Sequence, residues 1–130
     1  MNHLDVAKQA ACQAGAFLKE HFGKPLDVDE AKHHDIKLAL DRESQDLITR
    51  VILGAFPDHA IYGEEGLAGN QDSEYQWIVD PIDGTVNFAY GIPHAAVSIA
   101  LQVRTADGFH SEVGVVYDPF MDDLWTAIRG

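Results

Sequence analysis

An alternation in the last third of the chain constrains the fold most. Val97, Ile99, Leu101 and Val103 place an apolar side chain at every second position, and Ala106-Asp107-Gly108 follows as a turn signal. Period two puts all four on one face of a strand, so the segment needs a sheet with that face buried. Val113–Tyr117 and Leu124–Ile128 read as a further hairpin around Asp118-Pro119. Hairpin-linked strands pair antiparallel, and their shared apolar face requires a covering layer.

Two helices near the start can provide that layer. Ala7, Ala10, Ala11, Ala14, Leu18 and Phe22 recur at helical spacing and predict a helix from about Asp5 to Phe22. Asn2 is its expected cap and Gly23-Lys24-Pro25 its stop. A second helix is expected from about Arg42 to Phe56, with Leu47, Ile48, Val51, Ile52 and Ala55 inward. Asp41 stands where an N-cap belongs, and Pro57 ends the helix. Ile36, Leu38 and Leu40 alternate as a strand before it, and Ala60–Tyr62 and Gln76–Val79 read as short strands. The fold class is therefore α+β: two N-terminal helices on a largely antiparallel sheet, in a single domain over residues 1–130. The last strand has no evident cover for its edge, so the chain is expected either to assemble with another or to form the front of a longer one.

Composition narrows the function. The chain has 130 residues, 21 Asp+Glu against 9 Lys+Arg, a net charge of −12 and 46% hydrophobic residues, which suits a globular domain. No run approaches ~18 apolar residues, and MNHLDVAKQA is not built like a secretory signal. Cys12 is the single cysteine, which excludes an internal disulfide and a cysteine-based zinc site and makes a cytoplasmic location the default. The acidity argues against nucleic acid and anionic membranes as partners. A phosphorylated substrate would meet the same repulsion unless a bound cation reversed the local field.

The chemistry concentrates in Trp77-Ile78-Val79-Asp80-Pro81-Ile82-Asp83-Gly84-Thr85-Val86-Asn87-Phe88. A buried strand delivers Asp80 at its end, Pro81 turns the chain, and Asp83 follows three residues later. Gly84 permits close backbone approach, and Thr85 opens a short helix to about Tyr90 whose free N–H groups could receive an anion. Upstream, Gly63-Glu64-Glu65-Gly66 places carboxylates at the end of another strand. Asp-Pro, Asp-Gly and Glu-Glu are each ordinary turn or loop features, but punctuation does not require this order. Like charges ~4 Å apart repel by ~1 kcal/mol in water and ~4 kcal/mol near a protein surface. A hard divalent cation such as Mg²⁺ would relieve that repulsion among Glu64, Asp80 and Asp83, and metal-assisted hydrolysis of a phosphate ester is the chemistry the set suits.

The run WIVDPIDGTVNF resembles the signature of the inositol monophosphatase family, the Mg²⁺-dependent, lithium-sensitive phosphomonoesterases. Gly63-Glu64-Glu65 and Leu40-Asp41 match in the same order, and the likeness to the family's front half covers nearly the whole chain. The resemblance implies the front half of a layered αβαβα fold. It implies that Glu64, Asp80 and the Ile82 carbonyl hold one metal, and that Asp80 and Asp83 contribute to a second. It further implies that Glu64 and Thr85 orient the attacking water, Asp41 bonds to Thr85, and the Gly84 and Thr85 N–H groups hold the phosphate. Inositol 1-phosphate or a related polyol, sugar or nucleotide phosphate is the implied substrate, and a homodimer the implied assembly. The family's Thr-rich stretch before the aspartate reads Ile36-Lys37-Leu38-Ala39-Leu40 here, and its further aspartate ligand, in a Trp-Asp pair, falls beyond residue 130. Two alternatives remain: a non-catalytic metal-binding piece that needs a second half, and an aspartyl-nucleophile phosphatase, whose motif separates its aspartates by one residue rather than by Pro81 and Ile82. His33-His34 reads as a polar loop, His94 as a possible pocket residue, and Cys12 and Trp77 as core packing.

Overall fold

The computed structural model describes residues 2–25, 28–32 and 35–130, with 28–32 and 35–37 described by their backbone. Helix α1 (His3–His21) begins where the Asn2 side chain accepts the Asp5 N–H at 2.8 Å, so the expected cap is in place. Between Val6 and Leu18 its inward face carries only Ala7, Ala10, Ala11, Ala14 and Gly15, and these small residues let it lie close to the sheet. Gly15 marks the nearest approach, since a Cβ there would overlap the Tyr117 ring. Cys12 sits half-buried at the margin of this face rather than inside the core, and burial pushes its thiol pKa up.

Strands β1 (Val28–Lys32) and β2 (Asp35–Leu38) form a separate antiparallel pair, of which β1 carries no alternation that would have announced it. Helix α2 (Ala39–Ala55) starts earlier than its periodicity suggests. The strand ends at Leu38, Leu40 belongs to the helix, and Asp41 is not the N-cap but lies three residues beyond it. From there Asp41 Oδ2 reaches back to accept the Leu38 N–H at 2.8 Å, the returning half of a capping box. Ile48 and Ile52 are fully buried, whereas Ala55, expected inward, is exposed. Each fully buried isoleucine contributes about 1.5–3 kcal/mol.

The remaining strands are β3 (Ala60–Gly63), β4 (Gly66–Gly69), β5 (Tyr75–Asp83), β6 (Ala96–Thr105), β7 (Gly108–Asp118) and β8 (Asp123–Ile128). They form one sheet in the order β4-β3-β5-β6-β7-β8, antiparallel throughout except for the parallel pair β3–β5. The sheet is thus mixed but mostly antiparallel. Val97, Ile99 and Leu101 point into the core with Trp77, Val79, Val113 and Val115, as the alternation requires, beneath α1 and α2. Strand β8 is exposed along its whole length at one edge. Among the described residues no helix is long and apolar enough to cross a membrane.

Candidate active site at the ends of two parallel strands

The parallel pair explains how distant carboxylates meet. Strands β3 and β5 run in register with Gly63 opposite Val79, and the Glu64 N–H donates to the Val79 carbonyl at 3.1 Å. Both strands therefore end at the same level, and Glu64 and Asp80 come side by side. Their side chains share a hydrogen bond, and Asp80 Oδ1 is buried with no hydrogen-bond partner among the described residues. The Asp80 carboxyl is pushed up to about 7, first by burial, then by the bond to Glu64 and the charges of Glu64 and Asp83. A bond from the Ile82 backbone opposes the rise.

Strand β5 was expected to stop at Val79; it continues to Asp83 through a register shift between Asp80 and Asp83. The irregularity accommodates Pro81, which cannot donate to the ladder. Ile82, 1% exposed, anchors the bend in the core while its carbonyl accepts the Thr85 hydroxyl at 2.9 Å. Gly84 then adopts φ 98° and ψ 36°, and a Cβ there would stand 2.8 Å from the His94 carbonyl oxygen, so conformation and space both demand glycine. Helix α3 (Thr85–Ala89) follows, one residue shorter than expected, pinned by Phe88, whose ring lies 5.4 Å from that of Phe22. Thr85 Oγ1 also lies 3.1 Å from Asp41 Oδ1. Asp41, 2% exposed, thus ties the start of α2 to the start of α3.

Asp83 is exposed and reaches Asp80 through its charge alone. Among the described residues no three carboxylate, imidazole or thiol side chains converge into a group that could hold a metal. Glu64 and Asp80 nevertheless fit a hard divalent cation: an orphaned buried oxygen and two adjacent carboxylates are what such an ion would satisfy and neutralise. A cavity of about 300 Å³ opens at the Asp83-Gly84 turn, lined by these two residues with Asn87, His94, Asp118 and Trp125 among others. His94 is therefore at the pocket. His33-His34 and the Lys37 side chain lie outside the described residues.

Two contributors escaped the sequence reading. Ser44 and Gln45 are buried on the same face of α2 as Asp41, and both bond to the segments that carry the carboxylates. Their signal was positional: polar residues three and four places after Asp41, on the face that α2 turns inward.

Residues 2–130 match the model of the inositol monophosphatase family. The Nus factor SuhB of Pasteurella multocida is 40% identical over 130 residues, covering 98% of this chain and 47% of that protein. A fructose-1,6-bisphosphatase/inositol-1-monophosphatase of Aquifex aeolicus is 42% identical, covering 98% and 48%. Among solved structures, the extragenic suppressor protein SuhB of Bartonella henselae superposes with a TM-score of 0.88 at 37% identity, over 97% of this chain and 48% of its own. The chain spans about half the length of the relatives it matches. With a family model matching nearly its whole length, the chain belongs to the inositol monophosphatase family.

Proposed function

We propose that this chain carries the cation- and phosphate-binding part of a Mg²⁺-dependent, lithium-sensitive phosphomonoesterase acting on a small polyol, sugar or nucleotide phosphate, with inositol 1-phosphate the leading candidate. The observation that carries the reading is the Glu64–Asp80 pair, held together at a cost that a divalent cation would remove. Glu64, Asp80 and the Ile82 carbonyl would hold one ion, and Asp80 and Asp83 would contribute to a second. Bound Mg²⁺ supplies positive charge that lowers the pKa of water and stabilises the departing oxygen.

The chain's own groups do the rest. Thr85 Oγ1 faces two acceptors, Asp41 Oδ1 and the Ile82 carbonyl, so its one proton goes to either and its lone pairs remain for the attacking water. Glu64, exposed beside Asp80, takes the water's proton as the water oxygen bonds to phosphorus. The bond from phosphorus to the substrate oxygen breaks in line, and the departing oxygen takes a proton from solvent while Glu64 returns its own to water. The Gly84 and Thr85 N–H groups would receive the phosphate oxygens. The alcohol part would occupy the cavity between Asp83, His94, Asp118 and Trp125.

Phosphate release from inositol 1-phosphate tests the reading. Release that requires Mg²⁺ and disappears in Asp80→Asn supports it. A second reading, a metal-binding half that turns over only with further polypeptide, is favoured by the absence of a three-ligand group among the described residues. Inactive protein with intact Mg²⁺ uptake would establish that alternative. Trapping an acyl phosphate on Asp80 would instead mark an aspartyl-nucleophile enzyme. Homodimerisation or pairing through the β8 edge, and a cytoplasmic location, complete the proposal.

A further inference from the structure

Three polar side chains of α2 face inward in succession, and each grips a different piece of the candidate site. Asp41, Ser44 and Gln45 are 2%, 0% and 6% exposed, so water cannot replace the bonds they make. They stand at i, i+3 and i+4, on one face of the helix. Asp41 holds Thr85. Ser44 Oγ donates to the Pro81 carbonyl at 3.1 Å, at the bend between Asp80 and Asp83. Gln45 clamps the other side: Oε1 accepts the Glu65 N–H at 2.9 Å, and Nε2 donates to the Gly66 carbonyl at 3.1 Å. One partner can only donate and the other only accept, so the turn requires a primary amide at position 45. Gly63 completes the clamp, because a Cβ there would overlap that amide. The glycine before Glu64 is thus explained by the room that Gln45 needs.

From this arrangement, and resting on the functional reading above, we infer that Ser44 and Gln45 are positioning residues that set the separation of Glu64 and Asp80 and thereby the affinity for a divalent cation. Gln45 fixes the turn bearing Glu64, and Ser44 fixes the bend that follows Asp80. Both belong to one rigid helix, so the two carboxylates are referenced to a single frame rather than to two independent loops. Neither residue touches the reacting atoms. Groups that orient metal ligands typically cost 10–100-fold in affinity when removed.

Mg²⁺ titration calorimetry on the chain tests the inference without reference to turnover. Gln45→Met keeps the volume and loses both bonds; it should weaken Mg²⁺ binding about tenfold or more. Ser44→Ala should weaken it severalfold. Gly63→Ala, which displaces the amide from the opposite side, should match Gln45→Met and serves if that variant folds poorly. Ile48→Val, buried on the same helix without a bond to the site, should lower unfolding stability but leave Mg²⁺ affinity unchanged. If Ile48→Val loses affinity as Gln45→Met does, affinity follows overall stability and the inference is overturned. It is equally overturned if wild type binds Mg²⁺ and the Ser44, Gln45 and Gly63 variants bind as well. A wild-type chain that takes up no Mg²⁺ removes the functional reading itself, and the inference with it.

Discussion

The two ends of β5 handle buried polar groups in opposite ways. At the start, the Trp77 indole N–H donates to His59 Nδ1 at 3.0 Å, and the His59 ring is stacked against Phe56 at 4.7 Å and Tyr75 at 4.5 Å. The His3 ring joins this cluster 5.7 Å from His59. Because an indole can only donate, His59 Nδ1 is the acceptor and the ring is neutral with its proton on Nε2. Burial, then the charge of His3, lowers the His59 pKa against a smaller opposing effect of Asp58. Three residues after Trp77, Asp80 is just as constrained but unsatisfied, with one oxygen orphaned and a second carboxylate at its side. A strand whose first end is fully satisfied supplies the rigidity that holds the second end in an unfavourable arrangement. Functional sites are where such unfavourable arrangements are retained.

The comparison breaks most decisively at Asp80. Asp80→Asn removes a proposed ligand and relieves the repulsion, so the two effects should have opposite signs. Phosphate release should fall by on the order of 10²–10³-fold or more, as for loss of a group that stabilises developing charge. In the absence of Mg²⁺ the same variant should melt a few degrees above wild type, by differential scanning calorimetry. Mg²⁺ should raise the wild-type melting temperature and leave that of the variant where it is.

At the satisfied end, Trp77→Phe should destabilise by about 2–4 kcal/mol, combining a cavity with an unpaired His59 nitrogen. Urea unfolding measures it, and a loss under about 1 kcal/mol would mean that the indole–imidazole bond does not organise that end. Gly84→Ala lies between the two ends in kind. It places a Cβ at φ 98° against the His94 carbonyl and should cost about 1–3 kcal/mol, with a larger proportional loss of phosphate binding than of stability.

What was legible in the sequence follows from how far each signal reaches. Strands β6, β7 and β8 could be placed because a period of two persists over many residues and its turns carry Asp, Gly and Pro. The beginning of α2 could not, because Ile36, Leu38 and Leu40 satisfy a strand period and Ala39 and Leu40 equally suit a helix. The Asp41 carboxylate decided the matter by bonding backward to Leu38. Strand β4 is Gly66-Leu67-Ala68-Gly69, without alternation and largely exposed, so only its pairing to β3 makes it a strand. The carboxylates of the candidate site were found because a dozen consecutive residues carry them. Ser44, Gln45 and His59 were missed because each is defined by a partner 18 to 37 residues away: Pro81, the Glu65 turn and Trp77.

The smallest effect is the dependence of stability on pH, and it is the one that sets the two ends directly against each other. His59 has a lowered pKa in the folded protein, so its contribution is present above about 6.5 and is lost as acid protonates the unfolded ring first. Asp80 has a pKa raised from 3.8 to about 7, so its folded form binds the extra proton between those values and stability falls as pH rises through that window. The partial exposure of Asp80 allows solvent to screen this contribution, leaving about 1 kcal/mol across the window. Without Mg²⁺ the two slopes oppose each other just below pH 6.5, where acid weakens the His59 contribution and strengthens that of Asp80. Asp80→Asn should uncover a stability that falls on acidification, and His59→Gln one that falls on alkalinisation. Urea midpoints at four pH values for the two variants suffice. Parallel slopes in both would show that the ends of β5 are not the groups that titrate with folding.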